Sequence, residues 1–198
     1  LNLYKQSQKK VTIMAIGPLT SLGLVIKERP LLFNQKVKNI FFSGGSLNII
    51  NKPIHRYFPK QRPTTASWNT FIDPIAAQRV FNSKIPLIAN LSNTHKGLKT
   101  TELYQALSKV VSPNRYQRFI LHTLAATRKD PFVGDQVTAL MWADPGICPL
   151  KTFKVKLLSK GWRAGQVILS PKGRLIQSCF GLSRRKFTDV FLKGLEGN

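Results

Sequence analysis

SWNTFIDPIAA, Ser67 to Ala77, is the stretch on which the reading of the fold turns. Asp73 followed by Pro74 spells a helix start. The carboxylate can accept from a first-turn N–H, and proline at the first helical position gives up a donor that the helix does not use. Ala76, Ala77, Val80 and Phe81 then recur at helical spacing, which predicts one buried face. Just upstream, Trp68 and Phe71 offer aromatic surface and Asn69 a polar side chain from the loop entering the helix. Taken alone, this is a well-capped helix in an αβ connection. Its surroundings say more. VTIMAIGPLTSLG (Val11 to Gly23) and VKNIFFSGG (Val37 to Gly45) precede it, and IPLIANLSNTHKG (Ile85 to Gly97) follows. Val11–Ile16 is a short, continuous apolar run, the pattern of a parallel strand buried on both faces, and Val37–Phe42 and Ile85–Leu91 are predicted as further strands. A helical segment over Leu19 to Glu28, closed by Arg29-Pro30, lies between the first two. Strand, helix, strand predicts an α/β fold: a mostly parallel open sheet flanked by helices.

Downstream, Thr101–Val111, Arg115–Arg128 and Asp135–Ala143 read as helices, with Asp135 where an N-cap is wanted. From Thr152 the period changes to two, through Phe153, Val155 and Leu157, then Val167 and Leu169, then Leu175, Gln177 and Cys179. These are predicted to be short antiparallel strands. Arg184–Leu195 closes the chain as a helix. Ser46–Ala66 fits no element, because Pro53, Pro59 and Pro63 exclude a regular helix or central strand.

These motifs, in this order, resemble the inosine–uridine-preferring nucleoside hydrolases. That family has a strand ending in a G-P/G-L-T-N turn, a strand ending in G-G, an A-E-F-N-x-x-x-D-P-x-A-A segment and a strand ending near L-D-V-T. GDQVTALMWADP (Gly134 to Pro145) resembles its H-D helix, GWRAGQVILS (Gly161 to Ser170) its G-x-x-T-R-G-Q-T segment, and RRKFTDVFLKGL (Arg184 to Leu195) its final helix. The resemblance covers nearly all of the chain but only the C-terminal part of the family fold. It implies a single nucleoside-hydrolase-like domain over 1–198 with a truncated sheet, lacking the family's N-terminal Asp-rich strand region.

The family's chemistry, as the resemblance implies it, stabilises an oxocarbenium-like ribose while a Ca²⁺ held by carboxylates binds the sugar and activates water. No Asp precedes Asp73 here, so the family's Asp-rich turn has no counterpart. The family's second calcium carboxylate falls at Asp135, and a backbone carbonyl ligand at Ile16. The histidine before that carboxylate is replaced by Gly134. In the ribose clamp the glutamate is Ser67, the asparagine survives as Asn69, and an earlier asparagine falls near Gln61. Asn69 and Asp135 are therefore read as the vestige of a hydrolase site, with helix or loop capping as the alternative. His55, His95 and His122 stand scattered, none with a Cys, Asp or Glu at ligand or triad spacing. No metal, cofactor or catalytic residue is expected.

Charge points elsewhere. The chain carries 31 Lys+Arg against 8 Asp+Glu, a formal net charge of +23. Such a surface repels itself and attracts polyanions, nucleic acid first and a membrane surface second. The loop holding Lys52, His55, Arg56, Tyr57, Lys60 and Arg62 combines phosphate-binding cations with rings able to stack on unpaired bases, Phe58 among them. Lys154 and Lys156 alternate with Phe153 and Val155, which predicts a cationic stripe on one strand face. Arg184, Arg185 and Lys186 form a further cluster. These are the expected RNA contacts, each with a plain solvated face as the alternative.

The reading that joins these observations is a non-catalytic, structural RNA-binding component of a large ribonucleoprotein, a pseudoenzyme derived from a nucleoside hydrolase. Ribosomal RNA and neighbouring ribosomal proteins are the expected partners, and a free monomer is not expected. A basic chain starting at Leu1 fits mitochondrial import and a place in the matrix ribosome. The alternatives are one part of a split calcium-dependent N-ribosidase, or a free binder of nucleic acid or anionic membrane. No run of apolar residues is long enough to span a membrane. Cys148 and Cys179 are expected to be two separate buried thiols in a reducing compartment. Loss of the family's first strands predicts an exposed sheet edge or apolar face covered by a partner.

Overall fold

The computed structural model describes residues 9–48, 54, 57, 58, 60, 64–95, 97–126 and 133–196. Six strands among them, β1 (Val11–Ala15), β2 (Val37–Ser43), β3 (Leu87–Asn90), β4 (Leu150–Leu157), β5 (Val167–Leu169) and β6 (Arg174–Cys179), form one sheet in the order β1-β2-β3-β6-β4-β5. The first three ladders are parallel, and β4 runs antiparallel to both β6 and β5. The described helices are α1 (Thr20–Glu28), α2 (Pro30–Lys36), α3 (Trp68–Phe71), α4 (Pro74–Asn82), α5 (Thr100–Leu107), α6 (Arg115–Ala126), α7 (Gly134–Ala143) and α8 (Arg184–Gly194).

Side chains alternate across the sheet and build two cores. Ile40, Phe42, Leu87, Ala89, Val155 and Ile176 meet Leu19, Phe33, Ala77, Val80 and Phe81 from the α1, α2 and α4 side. On the opposite face Phe41, Ile88 and Cys179 meet Leu103, Leu107, Leu124, Val137, Met141 and Phe187 from α5 to α8. The helix that begins at Asp73-Pro74 is capped as the sequence predicts: Asp73 Oδ1 accepts from Ala76 N–H at 2.9 Å. Ala76, Ala77, Val80 and Phe81 are all buried. At its other end Arg174 reaches from β6 and donates to the carbonyls of Val80 and Phe81, at 2.9 and 3.0 Å, and to that of Ile85.

Several expectations are corrected. Pro30 does not merely end a helix. It opens α2, because its fixed φ suits the first helical position. Val11–Ala15 is not buried on both faces: β1 is an edge of the described sheet and Met14 is 37% exposed. Asp135 is not an N-cap. Val133 holds that place without a side-chain cap, and Asp135 lies in the first turn of α7. Cys148 and Cys179, expected as separate thiols, form a disulfide. The reason is register. Leu150 of β4 pairs with Cys179 of β6, so the chain just before β4 runs beside β6 and brings the two Cα atoms to 5.7 Å, within bridging range.

Candidate functional site

In open α/β sheets ligands bind beyond the carboxyl ends of the strands. Here β1 ends at Ala15 and runs into Ile16, β2 ends at Ser43 and runs into Gly44-Gly45, β3 ends at Asn90, and α3, α7 and the loop after β3 supply the remaining groups. Asn69, in the single turn of α3, donates through Nδ2 to Ser43 O at 2.7 Å and to Ile16 O at 3.3 Å. The structure thus brings together two groups the sequence marked, the Asn69 amide and the Ile16 carbonyl, and ties the ends of β1 and β2 with them.

Ser67, which stands where the resemblance places a glutamate, has turned to a structural task. Its buried hydroxyl accepts from Gly45 N–H at 2.6 Å and lies 3.0 Å from Thr70 Oγ1. The segment between β2 and α3 is thereby fastened to the glycine pair that ends β2.

The centre of the site was not legible as such in the sequence. Asn90, fully buried at the end of the otherwise apolar β3, donates to Gly134 O at 2.5 Å and to Thr138 Oγ1 at 3.0 Å. Both amide hydrogens being used, its Oδ1 accepts from His95 Nδ1 at 3.1 Å. That arrangement leaves His95 Nε2 as the unprotonated nitrogen. Burial lowers the His95 pKa to about 4, so the ring is neutral at pH 7. A β-carbon on Gly134 would lie 3.2 Å from Ser43 Oγ and 3.5 Å from His95 Cε1. His95, taken from sequence as one of three scattered histidines, therefore stands beside the position whose family histidine is missing. The one available signal was a polar residue closing an apolar strand.

Asp135 is exposed on the first turn of α7, where its charge is favourable to the helix dipole, and it makes no ion pair among the described residues. A hard cation such as Ca²⁺ takes six to eight oxygens. The described residues supply one carboxylate and one carbonyl, and that carbonyl already accepts from Asn69. No group of three or more His, Cys, Asp or Glu side chains gathers among them. These donors do not by themselves fit the calcium that the resemblance implies, and no step is derived through it.

Of the predicted RNA contacts, Lys52, His55, Arg56 and Arg62 lie outside the described residues. Tyr57 and Lys60 are exposed. Tyr57 stands edge-on to Trp68 at 5.5 Å, and Phe58 lies 6.2 Å from Trp68 and 5.4 Å from Phe71. These rings fold back beside Asn69 as a cluster. Lys154 and Lys156 face outward while Val155 is buried. The α8 cations have partners within the chain: Arg184 pairs with Glu102 at 3.4 Å, Arg185 with Asp189 at 3.6 Å, and Lys186 Nζ donates to Gly146 O at 2.5 Å.

The family model described as inosine-uridine preferring nucleoside hydrolase matches residues 1–191. Among curated proteins, a pyrimidine-specific ribonucleoside hydrolase RihA of Escherichia coli O1:K1 / APEC is 33% identical over 112 residues, covering 54% of this chain and 32% of the relative. The RihA of Escherichia fergusonii is 34% identical over 112 residues with the same coverage. Among solved structures, an inosine-uridine preferring nucleoside hydrolase from Bacillus anthracis superposes with a TM-score of 0.82 at 21% identity, covering 97% of this chain and 62% of that one. The plant nucleoside hydrolase PpNRh1 does so with a TM-score of 0.76 at 17% identity, covering 100% and 65%. The chain spans about a third of the length of the curated relatives it matches, and somewhat under two-thirds of these solved chains. It belongs to the inosine-uridine preferring nucleoside hydrolase family.

Proposed function

We propose that this chain is a non-catalytic member of its family that holds RNA, as a structural component of a ribonucleoprotein. The observation that carries the reading is the fate of Ser67. The position that would present a glutamate to the ribose instead carries a buried hydroxyl spent on Gly45 N–H. The replacement of the family histidine by Gly134 supports it further. So does the charge: one-to-one pairing of 31 cations with 8 acids leaves 23 cations without a carboxylate, more than a small neutral substrate needs. Phosphate neutralisation with little sequence readout is the mechanism. A mitochondrial ribosome is the particle this reading names, on the strength of the basic, acid-poor composition alone.

The test is co-purification. The tagged chain, isolated from its own cells, carries ribosomal RNA and sediments with a particle. Recovery as a free protein of about its own mass, with no RNA, overturns the reading.

A second reading is favoured by one observation, the survival of Asn69 beside the Ile16 carbonyl. It makes this chain the scaffold part of a calcium-dependent ribosidase whose remaining carboxylates come from elsewhere. Calcium-dependent nucleoside cleavage by the isolated assembly, abolished by Asp135→Ala, would establish it.

A further inference from the structure

The second helical layer covers only part of its sheet face. Cross-strand register places Phe41, Ile88, Gln177 and Thr152 in one row on that face, and Leu175 beside Lys154 and Ile168 beside Lys156 further along it. Phe41 and Ile88 lie under α7 and its neighbours. Beyond them, among the described residues, the cover stops. Leu175 is 58% exposed and Leu150 40%, and Thr152, Lys154, Lys156 and Gln177 are exposed as well. Where the covered and open parts meet, a cavity of ≈ 210 Å³ opens, lined by Asn39, Phe41, Ile88, Met141, Ile147 and Leu150 among others.

We propose that this open part of the sheet is a docking surface for an acidic polypeptide segment, which sets carboxylates beside Lys154 and Lys156 and one aliphatic side chain into the cavity. Charge complementarity selects the occupant. The two lysines are the ionised groups of the open rows, and no carboxylate stands among the residues of those rows. A second copy of a chain with net charge +23 is repelled. RNA is the weaker fit, because the open rows carry Leu175 and Ile168, with Leu150 at the cavity, but no exposed aromatic ring on which an unpaired base could stack. Aliphatic surface between two lysines suits a polypeptide, whose apolar anchor is desolvated while its acids meet the cations at the rim. Lys154 and Lys156, read from sequence as RNA contacts, are reassigned to protein. The inference does not rest on RNA binding elsewhere on the chain, and either can fail alone.

The experiment uses the full chain and a labelled synthetic peptide of alternating Glu and Leu, with a Glu-Ser peptide and an oligouridylate as rivals. Hydrogen exchange on β4 and β6 locates binding in the wild type, and titration gives the affinity. The Glu-Leu peptide protects these strands. Lys154→Glu with Lys156→Glu, and separately Leu175→Asp, each weaken it about tenfold or more while circular dichroism stays unchanged. Equal binding of the Glu-Ser peptide, protection of β4 and β6 by the oligouridylate instead, or no protection by the Glu-Leu peptide overturns the proposal. The wild-type exchange result decides even where a variant fails to fold.

Discussion

Asn90 Oδ1 lies 3.1 Å from His95 Nδ1, and the same amide donates to Gly134 O at 2.5 Å, so one buried side chain links the end of β3, the loop after it and the start of α7. The imidazole in this link is neutral at pH 7, since burial holds the His95 pKa near 4, below its ordinary 6.5. An unfolded chain binds a proton between these two values and the folded one does not. Stability is therefore fully present above about pH 6.5 and falls as pH drops toward 4, by at most about 3 kcal/mol. Urea unfolding at stepped pH measures this. His95→Gln, which can still donate toward Asn90, should flatten the wild-type slope in that window, and an unchanged slope would remove His95 from the account.

Arg174 terminates α4 from a distance of more than ninety residues, through the carbonyls of Val80 and Phe81. Its pKa is lowered by burial, yet a guanidinium stays charged and its planar fork can serve several carbonyls at once. Arg174→Lys keeps the charge but loses the fork, and Arg174→Ala leaves the carbonyls without a donor. We expect losses of about 1 and about 2–3 kcal/mol respectively in denaturant unfolding, with exchange accelerated in the last turn of α4. Equal, negligible losses would mean that water replaces the cap.

Gly23 of α1 crosses Ala76 of α4 with no room for a methyl group, because a β-carbon on Gly23 would lie 2.5 Å from Ala76 Cβ and 2.6 Å from Ala76 Cα. Alanine is the better helix former by about 1 kcal/mol. The clash outweighs that gain, and Gly23→Ala is expected to destabilise by about 1–3 kcal/mol. Ala76→Gly in the same chain restores only part of it, since the backbone Cα remains in the way. Thermal unfolding of the two single variants and the double variant tests the ordering.

The Cys148–Cys179 bridge closes a loop across 31 positions. Chain-entropy loss in the unfolded state predicts a contribution of about 3–4 kcal/mol. Reductant should lower the unfolding midpoint of the wild type and leave Cys148→Ser/Cys179→Ser unaffected. Alkylation of two thiols in the folded, unreduced protein would show that the bridge is absent.

Most of the strands and helices were written in the sequence in their order, because each depends on neighbours a few residues away; α2 and the single turn of α3 were not. The apolar run Val11–Ile16 needs only its own side chains to declare a strand, and Asp73-Pro74 needs only Ala76 N–H to start a helix. The resemblance likewise rested on local motifs, and the two groups it marked, the Asn69 amide and the Ile16 carbonyl, stand 3.3 Å apart in the structure. The tertiary structure decided everything that depends on distant partners: that β1 is an edge of the described sheet, that Cys148 reaches Cys179, that Arg174 caps a helix from another strand, and that His95 sits against Gly134. In each case the deciding neighbour, or its absence, is set by segments tens of residues apart, and no local propensity encodes such a distance.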